Sequence, residues 1–358
     1  MKIGILTYHR AHNYGALLQA VALRLALIDM GNDVYFVDYW PKYHERKYML
    51  FSWYVFTHSG KKGAWLYLKD RFLSFHDRMK RIAHFRKFIK EHIEPHCLGT
   101  NETFDLLIYG SDQIWRKQHQ TKNYNSTYFG VNNIKAKRNI SYAASIDNLP
   151  KSEKDKNTFF QLVSHLDKVS VRETPLLDLL KVNGFNKAVL SLDPTLLISS
   201  ALWRNEIKEE RLIIEPYLLY YNLLENSFDD SDIVNYAKER GLRLVTIYGA
   251  AVPNADSNFT TCGPDVFLNL IRFADFIITS SFHGLAFSLI FQKQFYSAFK
   301  IRPLRGESLL KSLNLSNRLL KPGSKIPRDQ EKIDYSQVNA MLDEIRKNSI
   351  EYLKQSTK

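Results

Sequence analysis

The residues with the clearest chemical potential lie in FADFIITSSFHGLAFSLIF, 273–291. Phe276–Ile278 reads as a buried parallel strand, and a second apolar run starts at Leu285 with helical spacing. Between them Thr279-Ser280-Ser281 stops the strand and His283-Gly284 opens the helix. Such a strand–turn–helix unit aims unpaired backbone N–H groups and the positive end of a helix at whatever lies above the sheet. An imidazole held there can move protons at a bound anion. The plainer reading is a helix start whose histidine satisfies a cap, and this segment alone does not separate the two.

Other strand-following loops carry more polar groups than a linker needs. His9–Gly15 opens a helix with Asn13 and Gly15; it contains no GxGxxG, which argues against a dinucleotide site, and Asn13 suits a helix cap. His9 and His12 have metal-ligand spacing without a third ligand nearby, and His92, His96 and Cys97 sit at the end of a basic helix. Gly110-Ser111-Asp112-Gln113 suits hydroxyl recognition of a sugar, and equally a helix cap. Arg172, at a strand end, offers a rigid fork for carboxylate or phosphate, or a surface ion pair with Glu173 or Asp193. Lys300 follows the strand after the 285–291 helix and reaches the space above the 281–284 turn if the adjacent strands are parallel.

The elements that must position these groups alternate along the chain. Strands are expected at Lys2–Tyr8, Val34–Tyr39, Phe104–Tyr109, Asn139–Ser145, Lys168–Val171 and Ala188–Leu192, with a helix at Gly15–Met30 ended by Gly31-Asn32. After about residue 205 the pattern restarts: strands Tyr217–Asn222, Leu242–Tyr248, 276–280 and Gln294–Phe299, helices Asp229–Arg240 and Pro264–Phe273, then an amphipathic helix over 334–354. Alternation in two halves predicts an α/β protein with two mostly parallel sheets, and ligands beyond the carboxyl ends of the strands. The expected division is 1–203, 204–330 and a terminal helix in 331–358.

A chain of 358 residues exceeds one compact core, and 45% hydrophobic with 24% charged residues excludes wholesale disorder. The opening MKIGILTYHR has no signal core and no run of 18 apolar residues occurs, so a cytoplasmic protein without a transmembrane span is expected. Cys97 and Cys262, far apart, are expected as free thiols. Residues 42–90 hold thirteen Lys or Arg against three acids, so this segment carries +10 of the net +13, interleaved with Trp53, Trp65, Tyr and Phe just after Trp40. That mixture suits an anionic bilayer surface; a solvated helical face is the plainer alternative, and nucleic acid lacks a recognition motif here.

Six stretches taken together resemble the polysaccharide pyruvyl transferase family over roughly residues 1–320: NYGALLQAVAL (13–23), GSDQIW (110–115), ISYAASI (140–146), VSVRE (169–173), DPTLL (193–197) and ITSSFHGLAFSLIF (278–291). The resemblance implies two Rossmann-like domains facing across a cleft in the GT-B-like arrangement. It implies transfer of the pyruvyl group of phosphoenolpyruvate to a sugar of a polysaccharide, commonly as a cyclic ketal, with no further cofactor. On it, His283 matches the catalytic histidine, while Arg172, Lys300, Ser281 and Gly284 match the phosphoenolpyruvate site. Asn13, Gly15 and Asp112 fall on the acceptor side. A polyprenyl-linked acceptor would give the basic segment a membrane to meet. Arg116, Glu173 and Asp147 stand where the family has Asn, Asp and Gly. Two rivals stay open at this point: a nucleotide-sugar glycosyltransferase of the same shape, and a non-catalytic carbohydrate- or anion-binding relative.

Overall fold

The computed structural model describes residues 1–41, 63, 65, 68–69, 72–118, 121–223, 227–247, 252–300, 304–329 and 331–358. Residues 42–62 of the basic segment, with 64, 66–67 and 70–71, therefore lie outside the described residues.

The N-terminal half runs β1 (Lys2–Leu6), α1 (Tyr14–Asp29), β2 (Asp33–Val37), α2 (Phe75–His92), β3 (Cys97–Leu98), β4 (Thr103–Gly110) and β5 (Lys135–Tyr142). It continues through α3 (Glu153–Val163), β6 (Ser170–Val171), α4 (Thr174–Val182), β7 (Val189–Leu190) and α5 (Ser200–Glu206). Its sheet is parallel in the order β3-β2-β1-β4-β5, and bridges Ile140–Lys168 and Ala144–Val171 carry the β6-β7 pair onto the edge of β5. The C-terminal half runs β8 (Tyr217–Tyr221), α6 (Asp230–Glu239), β9 (Arg243–Ile247), β10 (Ser257–Phe259), α7 (Pro264–Phe273), β11 (Phe276–Thr279), α8 (Phe282–Ile290), β12 (Gln294–Ser297) and α9 (Leu304–Ser312). Its parallel order, β10-β9-β8-β11-β12, repeats that of the first half. Each half is thus a doubly wound, Rossmann-like unit whose strand order reverses once, between β1 and β4 and between β8 and β11.

Sequence explains why these strands are central. Ile3, Ile5, Ile277 and Ile278 are fully buried, as expected of strands covered on both faces. Helix α1 is apolar on nearly every side because it is covered twice, by its own sheet and by the other half. Tyr14 stacks on Phe267 of α7 with ring centroids 4.5 Å apart, and its hydroxyl donates to Cys262 O at 2.9 Å. One cluster of buried side chains runs from Leu17 and Phe85 through to Phe267, Leu285 and Phe287, so the two sheets share a continuous core.

The last helix, α10 (Tyr335–Ser356), ties the halves together rather than standing apart. Near its start the Tyr335 hydroxyl donates to Ser288 O at 3.3 Å; near its end Tyr352 donates to Ser141 O at 2.8 Å and Ser349 accepts from Leu192 N at 2.9 Å. The long elements fall within a few residues of the expected bounds. The strand expected at 139–145 instead spans Lys135–Tyr142, since Ala143 leaves extended backbone at φ 45°. Both cysteines are free.

Candidate active site

The loops after β1 and β4 face those after β8 and β11, so the reversal points of the two sheets meet across one cleft. In the first loop Asn13 Oδ1 accepts from Ala16 N at 3.0 Å and caps α1. In the second, Asp112 adopts φ 58° and its carbonyl accepts from Ser145 N at 3.1 Å, which fixes the turn against the end of β5. Opposite, Ser281 is the N-cap of α8: its Oγ accepts from Gly284 N at 3.4 Å, while its own N–H donates to Thr279 Oγ1 at 3.0 Å. A Cβ on Gly284 would overlap Thr279 Oγ1, so the missing side chain lets the first turn of α8 sit directly on β11.

That seating sends His283 across the cleft. Its ring rests on Gly15, where a Cβ would overlap Nδ1 and Cε1. Gly15 is therefore the surface against which the imidazole of the other half lies. On its far side His283 Nε2 is buried, 3.6 Å from Asp193 Oδ2. This is just beyond hydrogen-bond reach.

Asp193 anchors the N-terminal side. It is fully buried; Oδ1 accepts from Thr195 N at 3.0 Å and from Thr195 Oγ1 at 2.8 Å, and Oδ2 accepts from Arg172 Nη1. Burial alone would raise the Asp193 pKa, but Arg172 beside it, with His283 and Thr195, holds it far below the usual carboxylate range. Burial likewise disfavours the charged Arg172, yet Asp193, Glu173 and Asp112 outweigh it and raise its pKa. Arg172 Nη2 is buried without a hydrogen-bond partner among the described residues. Glu173, raised by burial against the pull of Arg172 and Arg305, has Oε1 3.7 Å from Arg172 Nε and 3.9 Å from Arg305 Nε and accepts from Ser145 Oγ. Both guanidiniums lie over the Phe282 ring, at 5.4 and 5.6 Å.

Two cavities share the wall made by Phe282 and Arg305. One, about 190 Å³, is lined by Asn13, Asp112, Arg116, Ser281 and His283. The other, about 350 Å³, is lined by Arg172, Asp193, Ser308 and Asn348. Asp112 is pushed up by burial but pulled below its ordinary value by Arg172, His283 and Arg305, so it remains a carboxylate in the cleft.

Of the residues singled out by sequence, His283, Ser281, Asn13, Asp112, Gly15 and Arg172 converge here. Lys300 is exposed beyond β12 and lines neither cavity. Arg305, Asp193 and Glu173 take part although sequence reasoning gave them no role in binding. Asp193 and Glu173 were visible only as possible ion-pair partners of Arg172, whereas Arg305 is one of three cations in a short stretch, 300–305, that spacing cannot rank. The surface ion pair proposed as the plain reading of Arg172 exists, but buried and on the cavity wall.

Three histidines outside the cleft wall are held in packing or ion pairs. His9 is fully buried, stacked on Phe36 at 5.5 Å, with Nδ1 3.0 Å from Thr7 O. His12 stacks on Phe85 at 5.5 Å, and His92 pairs with Glu206 at 2.8 Å. No group of three metal-ligating side chains occurs among the described residues.

Among solved structures, a UDP-GlcNAc 2-epimerase of Methanocaldococcus jannaschii is similar at 11% identity and a TM-score of 0.49, over 96% of this chain and 92% of that one. A putative UDP-N-acetylglucosamine 2-epimerase of Listeria monocytogenes is similar at 10% identity and 0.48, over 98% and 90%. An E. coli heptosyltransferase with ADP is similar at 9% identity and 0.38, over 96% and 100%. A search of curated proteins finds none that matches. The model of the polysaccharide pyruvyl transferase family matches residues 13–298, most of the chain, from Asn13 at the start of α1 through Asp112, Arg172, Asp193 and His283. The chain belongs to the polysaccharide pyruvyl transferase family.

Proposed function

We propose that the cleft transfers the pyruvyl group of phosphoenolpyruvate to two hydroxyls of a sugar in a polysaccharide or lipid-linked oligosaccharide, forming a ketal and releasing phosphate. One observation carries this reading: His283 projects from a helix start in one half onto Gly15 of the other, with Nε2 facing the buried Asp193–Arg172 pair.

Phosphoenolpyruvate bears a carboxylate and a phosphate, and it meets cations and a helix N-terminus in this wall. Arg172 and Arg305, flanking Phe282, hold the two anionic groups, and Ser281 with Gly284 presents the first turn of α8. The role expected of Lys300 passes to Arg305 in this reading. The acceptor enters along Asn13 and Asp112.

In the first step a sugar hydroxyl oxygen bonds to C2 of the donor while C3 gains a proton, turning the methylene into a methyl. In the second, another hydroxyl oxygen replaces phosphate at C2, and its proton leaves with the phosphate. His283 moves the proton between hydroxyl and C3, acid–base work that a positioned imidazole commonly performs. Asp193 acts as its positioning residue and also fixes Arg172. The donor supplies the driving force, so the reading assigns no further cofactor.

Thermal denaturation with phosphoenolpyruvate, UDP and GDP tests the donor. Millimolar phosphoenolpyruvate is expected to raise the unfolding midpoint, and phosphate release is expected only when an acceptor oligosaccharide is added. Stabilisation by UDP or GDP with no response to phosphoenolpyruvate would overturn the reading in favour of a nucleotide-sugar enzyme. Phosphoenolpyruvate binding without turnover on any pyruvylated-polymer precursor would point to a non-catalytic relative.

A further inference from the structure

Helix α2 turns two unlike faces to its surroundings. Phe85, Phe88 and Ile89 are buried. Tyr14 stacks on Phe85 at 5.2 Å, and His84 Nδ1 lies 2.7 Å from Thr261 O. These contacts fix the helix to both halves of the molecule, beside the loop that carries Asn13. With 3.6 residues per turn, Phe75, Met79, Lys80, Arg86, Lys87 and Lys90 share the opposite stripe. All six are exposed. Of the acids of this helix, Asp77 falls outside that stripe, while Glu91 lies one turn beyond Lys87 at its edge.

The chain just before α2 extends the apolar part. Trp65, Leu68, Phe72 and Leu73 are exposed, Phe72 by 84% and Leu73 by 73%. Six of the twelve large apolar side chains exposed among the described residues lie within 65–79. Such a concentration is costly in water and marks a surface that meets another phase or molecule. A nucleic acid would use the cations and rings but leave Leu68, Leu73 and Met79 in water, since aliphatic chains neither stack on bases nor neutralise phosphate. A bilayer uses both kinds of group, apolar tips below the headgroups and cations among acidic ones.

We propose that this face docks on an anionic lipid bilayer, with Phe72, Leu73, Phe75 and Met79 entering the headgroup boundary and Lys80, Arg86, Lys87 and Lys90 lying over acidic headgroups. No helix among the described residues is long and apolar enough to cross a membrane, so the attachment is peripheral and salt-sensitive. Because α2 is packed beside the cleft, docking brings the cleft near the lipid surface.

Co-sedimentation of the full chain with vesicles tests this without any sugar or donor substrate, so its outcome is independent of the pyruvyl-transfer reading. The chain is expected to pellet with phosphatidylglycerol–phosphatidylcholine vesicles at low salt and to be released at high salt. Reversal of Lys80, Arg86, Lys87 and Lys90 to Glu should lower partitioning by about a hundredfold or more. Reversal of Lys347 and Lys354, exposed on α10, should leave it unchanged. Phe72→Ser with Leu73→Ser, which keeps every charge, should weaken it by about tenfold. Absence of pelleting at low salt, or equal binding to pure phosphatidylcholine, would overturn the proposal. So would duplex DNA binding with the same charge dependence and no vesicle binding.

Discussion

The N-terminal half brings to the cleft a set of charges already locked to one another: Asp193 to Thr195 and Arg172, Arg172 to Glu173, Glu173 to Ser145. The C-terminal half repeats the same strand order yet brings a single imidazole on a helix start and Arg305 from the next helix, each approaching a carboxylate of the other half. One side is a preformed anionic–cationic frame. The other is an imidazole whose position depends on the seam between the halves. Identical topology therefore supplies equivalent places, and the residues at those places divide the work between holding and proton transfer.

If that division is right, equivalent truncations on the two sides should fail differently. His283→Ala is expected to lower kcat for phosphate release by about 10²- to 10⁴-fold. Phosphoenolpyruvate affinity by calorimetry should change little, and the unfolding midpoint should hold. Arg172→Ala should instead strike the fold, because it strands the fully buried Asp193 carboxylate; a loss of about 3–5 kcal/mol in denaturant unfolding is expected, with weakened donor binding. Equal stability losses in both variants, or near-normal turnover in His283→Ala, would remove the distinction.

The seam itself gives the next largest effect. Gly15 occupies the second position of α1, where alanine is a better helix former, so Gly15→Ala should cost no stability by helix propensity and can gain up to about 1 kcal/mol. Its methyl would nevertheless overlap His283, and displacing a reacting group by about 1 Å typically costs on the order of 100-fold in rate. A variant that keeps its unfolding midpoint and loses kcat locates the seam in catalysis. Full activity in Gly15→Ala would show that the imidazole works from somewhere else.

This partition also decides what the sequence could reveal. Strand–loop–helix junctions are local, and FIITSSFHGLAF carries its strand, its stop, its cap and its histidine within a dozen residues. Hence β11, α8 and the placing of His283 were legible, as were Asn13 and Asp112 on their loops. Pairings across distance were not. Gly15 reads as a helix-start glycine until His283, 268 residues away, is laid on it. Asp193 is one of two possible surface partners of Arg172 in the sequence, and nothing there shows the pair buried and facing His283. Short or polar elements were missed for a related reason: β3 has two residues, and α3 buries only Phe159 and Val163, so neither shows a hydrophobic period. The terminal helix was visible as amphipathic, but a helical stripe does not say that its two ends cover different sheets.

The comparison extends to the histidines, at smaller cost. His9 sits in the N-terminal half two residues after Thr7 and is fully buried, where burial pushes its pKa down to about 4. An unfolded histidine titrates near 6.5, so between those values the unfolded chain binds the proton that the folded chain refuses. The stability His9 contributes is complete above about pH 6.5 and is lost as pH falls towards about 4. Between pH 7.5 and pH 5 this amounts to about 2 kcal/mol. His12, also lowered to about 4, chiefly by burial with Arg86 and Arg81 adding to it, acts in the same direction. Replacing His9 by Asn should therefore flatten the acid side of the stability curve in urea unfolding while leaving the pH dependence of turnover in place. An unchanged slope in that variant would mean that His9 is protonated in the folded protein. A shifted pH–rate profile would mean that the buried histidine communicates with the cleft, and the separation of structural from proton-carrying imidazoles between the two halves would fail.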